Sequence, residues 1–158
     1  MNNSEFTNLN IFDSYLSEII VNYKNPVKYS EMQTVKCSED AASILRSVWS
    51  DQADHLEEFM MLCLSRSNRV LGWSRISAGG LTGCVVDPKI IFQTALKANA
   101  VGIILAHNHP SGNKQPSESD RNLTRKLKSA GTLLDISFLD HLILTSESYY
   151  SFADEGNM

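Results

Sequence analysis

The chain has 158 residues, room for one compact domain and little else at roughly 100 to 200 residues per domain. Apolar residues make up 42% and charged residues 20%, which excludes the core-poor, charge-rich composition of a disordered chain. Fourteen Lys plus Arg against eighteen Asp plus Glu leave a net charge of −4, so nucleic-acid binding would need a local basic patch.

Residues 1 to 36 read as a helical or flexible arm, with Ile11, Tyr15, Ile19 and Val21 at weak helical spacing before the breaker Asn25-Pro26. The opening MNNSEFTNLN has no Lys or Arg and no apolar run, unlike a secretory signal. Ser38-Glu39-Asp40, ahead of Ala41, Ala42, Ile44, Leu45 and Trp49, predicts a capped helix ending near Asp51. Glu57 to Leu64 and Arg69 to Ile76 are strand-like runs joined by Ser65-Arg66-Ser67-Asn68, which predicts a hairpin. Gly79-Gly80 and Gly83 break the chain's regularity after this hairpin. Asp87-Pro88 opens a second helix with Ile91, Phe92, Ala95 and Leu96 on its apolar face, ending near Asn99.

Val101 to Ala106 is continuously apolar, as in a strand covered on both faces. A polar loop runs from His107 to Ser117, and Leu123, Leu127 and Ala130 then recur at helical spacing until Gly131. This order is βαβ-like. Leu134 to Leu144 returns to strand character, Tyr149 to Phe152 reads as an edge strand, and residues 154 to 158 form a polar tail. Cys37, Cys63 and Cys84 are an odd set without a C-x-x-C pair, so no disulfide framework is expected and a reducing cytoplasm is the simplest home. The longest apolar run, Phe59 to Leu64, falls far short of the roughly 20 residues that span a bilayer.

The chemistry concentrates in His107, His109 and Asp120. If the buried strand continues through His109, its period of two sends both imidazoles to one side. Asp120, in the first turn of the following helix, shares a face with Leu123, Thr124 and Leu127. Two imidazole nitrogens and a carboxylate oxygen with a fourth position left to water match a catalytic zinc site, and zinc is the expected ion. An attacking water also needs a proton acceptor. Glu57 and Glu58 both stand at the start of the first strand, on opposite faces, and spacing does not choose between them.

Each residue has a plainer reading. A lone H-x-H is more often a turn or surface pair, Ser117-x-x-Asp120 is equally a capping box, and Glu57 alone would be a solvated acid. Their joint occurrence favours the site. His141, beside Asp140, is either a partner that orients a ligand or a satisfied core histidine, and the core reading is favoured. His55 reads as a surface residue. Cys63 and Cys84 read as small buried hydrophobes. Lys114, Arg121, Arg125, Lys126 and Lys128 could contact phosphate or an acidic tail, although a solvated helix face is the favoured reading.

Glu57, His107-Asn108-His109-Pro110 and Ser117-Glu118-Ser119-Asp120 resemble the E…H-x-H-P-x6-S-x-x-D signature of the JAB/MPN metallopeptidases, the JAMM motif. Within that superfamily, AHNHPSGNKQPSESD and LDHLILT are most similar to the RadC-type proteins, historically labelled DNA repair proteins. The likeness runs from about Cys37 to Phe152, which sets a domain at 37 to 153. The resemblance implies an α/β (α+β) fold of the cytidine-deaminase-like kind: a curved, mostly antiparallel sheet flanked by helices, with the metal at its rim. It also implies His107, His109 and Asp120 as zinc ligands, Glu57 as general base, and Ser117 as the residue steadying water and oxyanion. Longer RadC relatives add a helix-hairpin-helix region, so a DNA role resting on that region is not expected from the 35 or so residues before this domain.

The expected function is a zinc-dependent metallohydrolase that cleaves a peptide or isopeptide bond in a peptide or protein-conjugate substrate. The alternatives are a DNA-repair-associated protein with a mainly structural metal, touching nucleic acid weakly through Arg121, Arg125 and Lys128, and a protein-interaction domain.

Overall fold

The computed structural model describes residues 20, 25–51, 53–79 and 85–158. Its strands are β1 (Glu58–Leu64), β2 (Val70–Ala78), β3 (Gly102–Asn108), β4 (Ser137–Leu144) and β5 (Tyr149–Ser151). They form one sheet in the order β2-β1-β3-β4-β5, antiparallel except between β3 and β4. A parallel pair needs a crossover, and the helix α3 (Glu118–Leu133) supplies it. With α1 (Ser38–Val48) and α2 (Pro88–Lys97), this is the expected mixed α/β architecture, a mostly antiparallel sheet flanked by helices.

Every residue of β1 and β3 is buried, because the sheet is covered on both faces. Phe59, Met61, Cys63, Ile103 and Leu105 pack with Ile91, Phe92 and Ala95 of α2 and Leu127 of α3. Met60, Leu62, Leu64, Ile104 and Ala106 pack on the other face with Ala41, Ala42 and Leu45 of α1. Continuing the alternation, His107 follows Leu105 on the α2/α3 face. Its strand partner is Phe59, and the two rings lie parallel, 2° apart with centroids 5.8 Å apart.

The β3–β4 register carries one irregularity. Ile103 pairs with Phe138 and Ile104 with Asp140, so Leu139 is the extra residue of a bulge. The bulge shifts the alternation, and His141, opposite Leu105, faces the same side as Phe138. Without it, strict alternation would send His141 to the α1 face.

Several boundaries differ from the sequence reading. The first helix stops at Val48 instead of near Asp51, and extended backbone at Trp49 carries Ser50 to the buried Glu58 carboxylate. Its N-cap position is Cys37, while Asp40 accepts a hydrogen bond from the Lys36 N–H at 2.8 Å. In the hairpin, β1 begins at Glu58 and β2 extends to Ala78. β3 runs two residues past Ala106 because parallel pairing continues to Asn108 opposite Leu144. α3 does not stop at Gly131: that glycine is a close-packing point, where a Cβ would stand 2.5 Å from the Ile136 carbonyl oxygen. The reversal falls at Asp135, with φ of 54°, so β4 starts at Ser137 and not at Leu134. The edge strand ends at Ser151, one residue before Phe152.

Ahead of α1, Val70 N–H donates to Gln33 O and Val35 N–H to Asn68 O, laying residues 33–35 along the hairpin turn. Residues 1–19 and 21–24 of the arm lie outside the described residues, as do Gly80, Gly83 and Cys84. At the other end, Asn157 donates to the Phe152 carbonyl and the Tyr150 hydroxyl, and Met158 packs beside Ile143, Tyr150 and Phe152. Among the described residues, no helix is long and apolar enough to cross a membrane.

Candidate metal centre

The end of β3 delivers the two histidines. His107 is buried within the ladder, and His109, one step beyond, still donates its backbone N–H to Leu144 O at 2.9 Å. Their Nε2 atoms lie 3.0 Å apart. His109 Nδ1 is 2.6 Å from Asn113 O; a carbonyl can only accept, so that nitrogen carries the proton and Nε2 of the neutral ring keeps its lone pair. His107 Nδ1 is occupied by His141 Nε2 at 2.9 Å, which turns its own Nε2 toward His109.

Glu57 joins them immediately before β1. Ligand atoms of Glu57, His107 and His109 all lie within 4.8 Å of one another, a group able to hold a metal ion. Glu58 goes elsewhere: its carboxylate meets Arg75 Nε at 3.3 Å and the Ser50 hydroxyl at 2.8 Å. The tertiary fold thereby separates two glutamates that spacing leaves equivalent. Asn108, between the histidines, points to the opposite face and grips the backbone around Glu57. Its Oδ1 accepts from Glu58 N–H at 2.7 Å and its amide donates to Leu56 O at 2.8 Å, while Gly79 N–H donates to Glu57 O.

Asp120 arrives on the first turn of α3. Its Oδ2 accepts from Ser117 N–H at 2.7 Å and Ser117 Oγ at 2.6 Å, and its N–H donates back to Ser117 Oγ at 3.2 Å. The capping box is therefore formed, and it leaves Oδ1 to approach His107 Nε2 at 3.3 Å. Thr124, one turn on, donates its hydroxyl to Asp120 O and lies 2.7 Å from His141 Nδ1.

Burial dominates the electrostatics. It pushes the His107 pKa down to about 4, with His109 adding to the shift and Asp120 opposing it, so His107 faces Asp120 as a neutral ring at neutral pH. His141, fully enclosed, is held well below the usual imidazole range for the same reason. Glu57 is raised above the ordinary carboxylate range, first by burial and further by Asp120, with His109 pulling it back.

These donors suit a divalent cation of zinc type. Imidazole nitrogen and carboxylate oxygen are zinc's usual partners, and tetrahedral ligands with bonds of about 2.0–2.1 Å sit about 3.3 Å from one another. The separations at His107 Nε2 are 3.0 Å to His109 and 3.3 Å to Asp120. The geometry also draws in Asn108, Thr124 and His141. Sequence singles out the first two in no role and favours a core reading for the third; LDHLILT, with its polar pair inside an apolar run, is the one signal that could have pointed to His141. Cys63 is buried, with its thiol pushed up to about 11 by burial. His55 is exposed, and Arg125 is engaged on its own helix by Glu118 at 3.1 Å and Asn122 at 2.7 Å.

A family profile described as the RadC-like JAB domain matches residues 35–157, most of the chain. This chain belongs to that family. The chain is 42% identical over 126 residues to a UPF0758 protein of Flavobacterium johnsoniae, covering 80% of this chain and 54% of that relative. It is 44% identical over 106 residues to a UPF0758 protein of Geotalea uraniireducens, covering 66% and 46%. With the UPF0758 protein of Thermotoga maritima it shares 40% identity over 98 residues, covering 62% and 44%. The chain spans about half the length of these curated relatives.

Proposed function

We propose that this RadC-like domain is a zinc-dependent hydrolase that cleaves a peptide or isopeptide bond. One observation carries the reading: Glu57, His107 and His109 converge within 4.8 Å, with Asp120 Oδ1 at 3.3 Å from the same His107 nitrogen. JAB domains are often metallopeptidases, which supports the reaction class. In this reading His107 Nε2, His109 Nε2 and an Asp120 oxygen hold the ion. Bound zinc lowers the pKa of a water to about 7 and polarises a carbonyl.

Glu57 takes the proton of the attacking water and delivers it to the departing amine, serving first as base and then as acid. Its raised pKa suits both halves of that duty, since a proton carrier works best with a pKa near the operating pH. Ser117 steadies the oxyanion once its hydroxyl proton turns from Asp120 Oδ2 toward the substrate. A cleft of about 300 Å³ bordered by Trp49, Asn108, His109, Pro110 and Thr145 gives a substrate segment room beside the site.

Elemental analysis of the purified protein tests the reading. We expect about one zinc per chain, lost in His107→Ala and in Asp120→Ala. A protein that holds no zinc after reconstitution overturns it.

A further inference from the structure

The nitrogen of His107 that faces His109 and Asp120 is useful as a ligand only while it carries a lone pair, so its proton must reside on Nδ1. A chain of hydrogen bonds dictates that location. Thr124 Oγ1 has one proton and two neighbours, Asp120 O at 2.7 Å and His141 Nδ1 at 2.7 Å. The carbonyl can only accept, so it takes the hydroxyl proton, and the Thr124 oxygen must accept from His141 Nδ1–H. A neutral imidazole carries one N–H, which makes His141 Nε2 an acceptor. Facing it at 2.9 Å is His107 Nδ1, which is therefore the donor. Each step fixes the next, and the last leaves His107 Nε2 bare, facing His109 Nε2 at 3.0 Å and Asp120 Oδ1 at 3.3 Å, three lone pairs that a bound cation would reconcile.

The surroundings keep this order in place. His141 is fully buried, stacked on Phe152 with ring centroids 5.0 Å apart and flanked by Phe59 at 5.4 Å. Water has no access to restore a mismatched pair, so reversing one bond would leave a buried donor facing a donor. The position depends on the Leu139 bulge, which turns His141 to this face. The chain of bonds ends on the backbone carbonyl of Asp120, so the bonds that set the His107 tautomer also anchor the helix turn bearing the carboxylate.

We propose that His141 and Thr124 are positioning residues: together they hold His107 as the Nδ1–H tautomer, with Nε2 presented to the metal. The assignment rests on the function proposed above, because two bare Nε2 atoms 3.0 Å apart are compatible when a cation lies between them. Loss of the Thr124 hydroxyl removes the acceptor for His141 Nδ1–H and favours the opposite tautomer pair, which puts a proton on the ligand nitrogen of His107.

Proton–nitrogen correlation spectra of the histidine rings in the zinc-loaded protein at neutral pH read the tautomers directly. We expect His107 and His141 both protonated on Nδ1. Zinc affinity, measured by chelator competition, should fall about ten- to hundredfold in Thr124→Val and stay near the unmodified value in Thr124→Ser, the usual scale for partners behind a ligating histidine. A proton on Nε2 of His107 in the unmodified protein overturns the assignment, as does unchanged zinc affinity in a folded Thr124→Val. If the unmodified protein binds no zinc, the metal-centre reading fails and this assignment falls with it; zinc binding that is indifferent to Thr124→Val overturns this assignment alone.

Discussion

Asn108 accepts the backbone N–H of Glu58 at 2.7 Å across fifty residues of sequence, and with its amide holds Leu56 O, so one side chain grips the peptide groups on both sides of Glu57. The residue between the two histidines thus sets where the third polar group stands. Asn108→Ala leaves a buried N–H and carbonyl unmet, at roughly 1–3 kcal/mol for each such group, and should lower stability by about 2–3 kcal/mol. Urea unfolding measures this. Turnover should drop more than zinc affinity, because Glu57 loses its placement while the histidines keep theirs; an unchanged unfolding midpoint would contradict the clamp.

Glu57→Gln preserves shape and removes the proton acceptor. Zinc content should be unchanged, and hydrolysis of a peptide substrate should fall by about 10²–10⁴-fold, the usual contribution of a general base. Hydrolysis near the unmodified rate, with zinc still required, would remove Glu57 from the proposed chemistry.

The metal-free protein should lose stability as it is acidified. His107 has its pKa lowered from 6.5 to about 4 in the folded state, and that of His141 is lowered well below 6.5. An unfolded chain binds protons at these sites first. Their contribution is therefore fully present above about pH 6.5 and is lost progressively as pH falls through about 4. Thermal melts across that range measure the slope, and a melting temperature that rises on acidification would refute the sign.

Cys63 should resist alkylation. Its thiol pKa is raised from 9.0 to about 11, which cuts the thiolate fraction about a hundredfold, and the side chain is buried in β1. Cys37 is exposed. Iodoacetamide at pH 8 followed by peptide mass mapping should label Cys37 well before Cys63. Equal labelling would show that β1 opens readily.

Sequence alone determined the features whose causes are local. Asp87-Pro88 starts α2 because Asp87 caps Lys89 N–H and Pro88 needs no donor. The apolar run before His107 is a doubly covered strand, and its alternation carries His107 to a defined face. Ser117 and Asp120 close a capping box because they stand three positions apart, as N-cap and N3. The H-x-H pair and the acid that follows it are legible in the sequence as a candidate metal set, as is resemblance to the family. Tertiary structure decided the rest. Whether Glu57 or Glu58 meets the histidines depends on how β1 registers against β3 and on Asn108, fifty residues away. The role of His141 depends on a bulge at Leu139 and on ring nitrogens brought together across 34 residues. Such contacts follow from strand register and from which buried donors find acceptors, quantities set by the whole packed chain and not by neighbours in sequence.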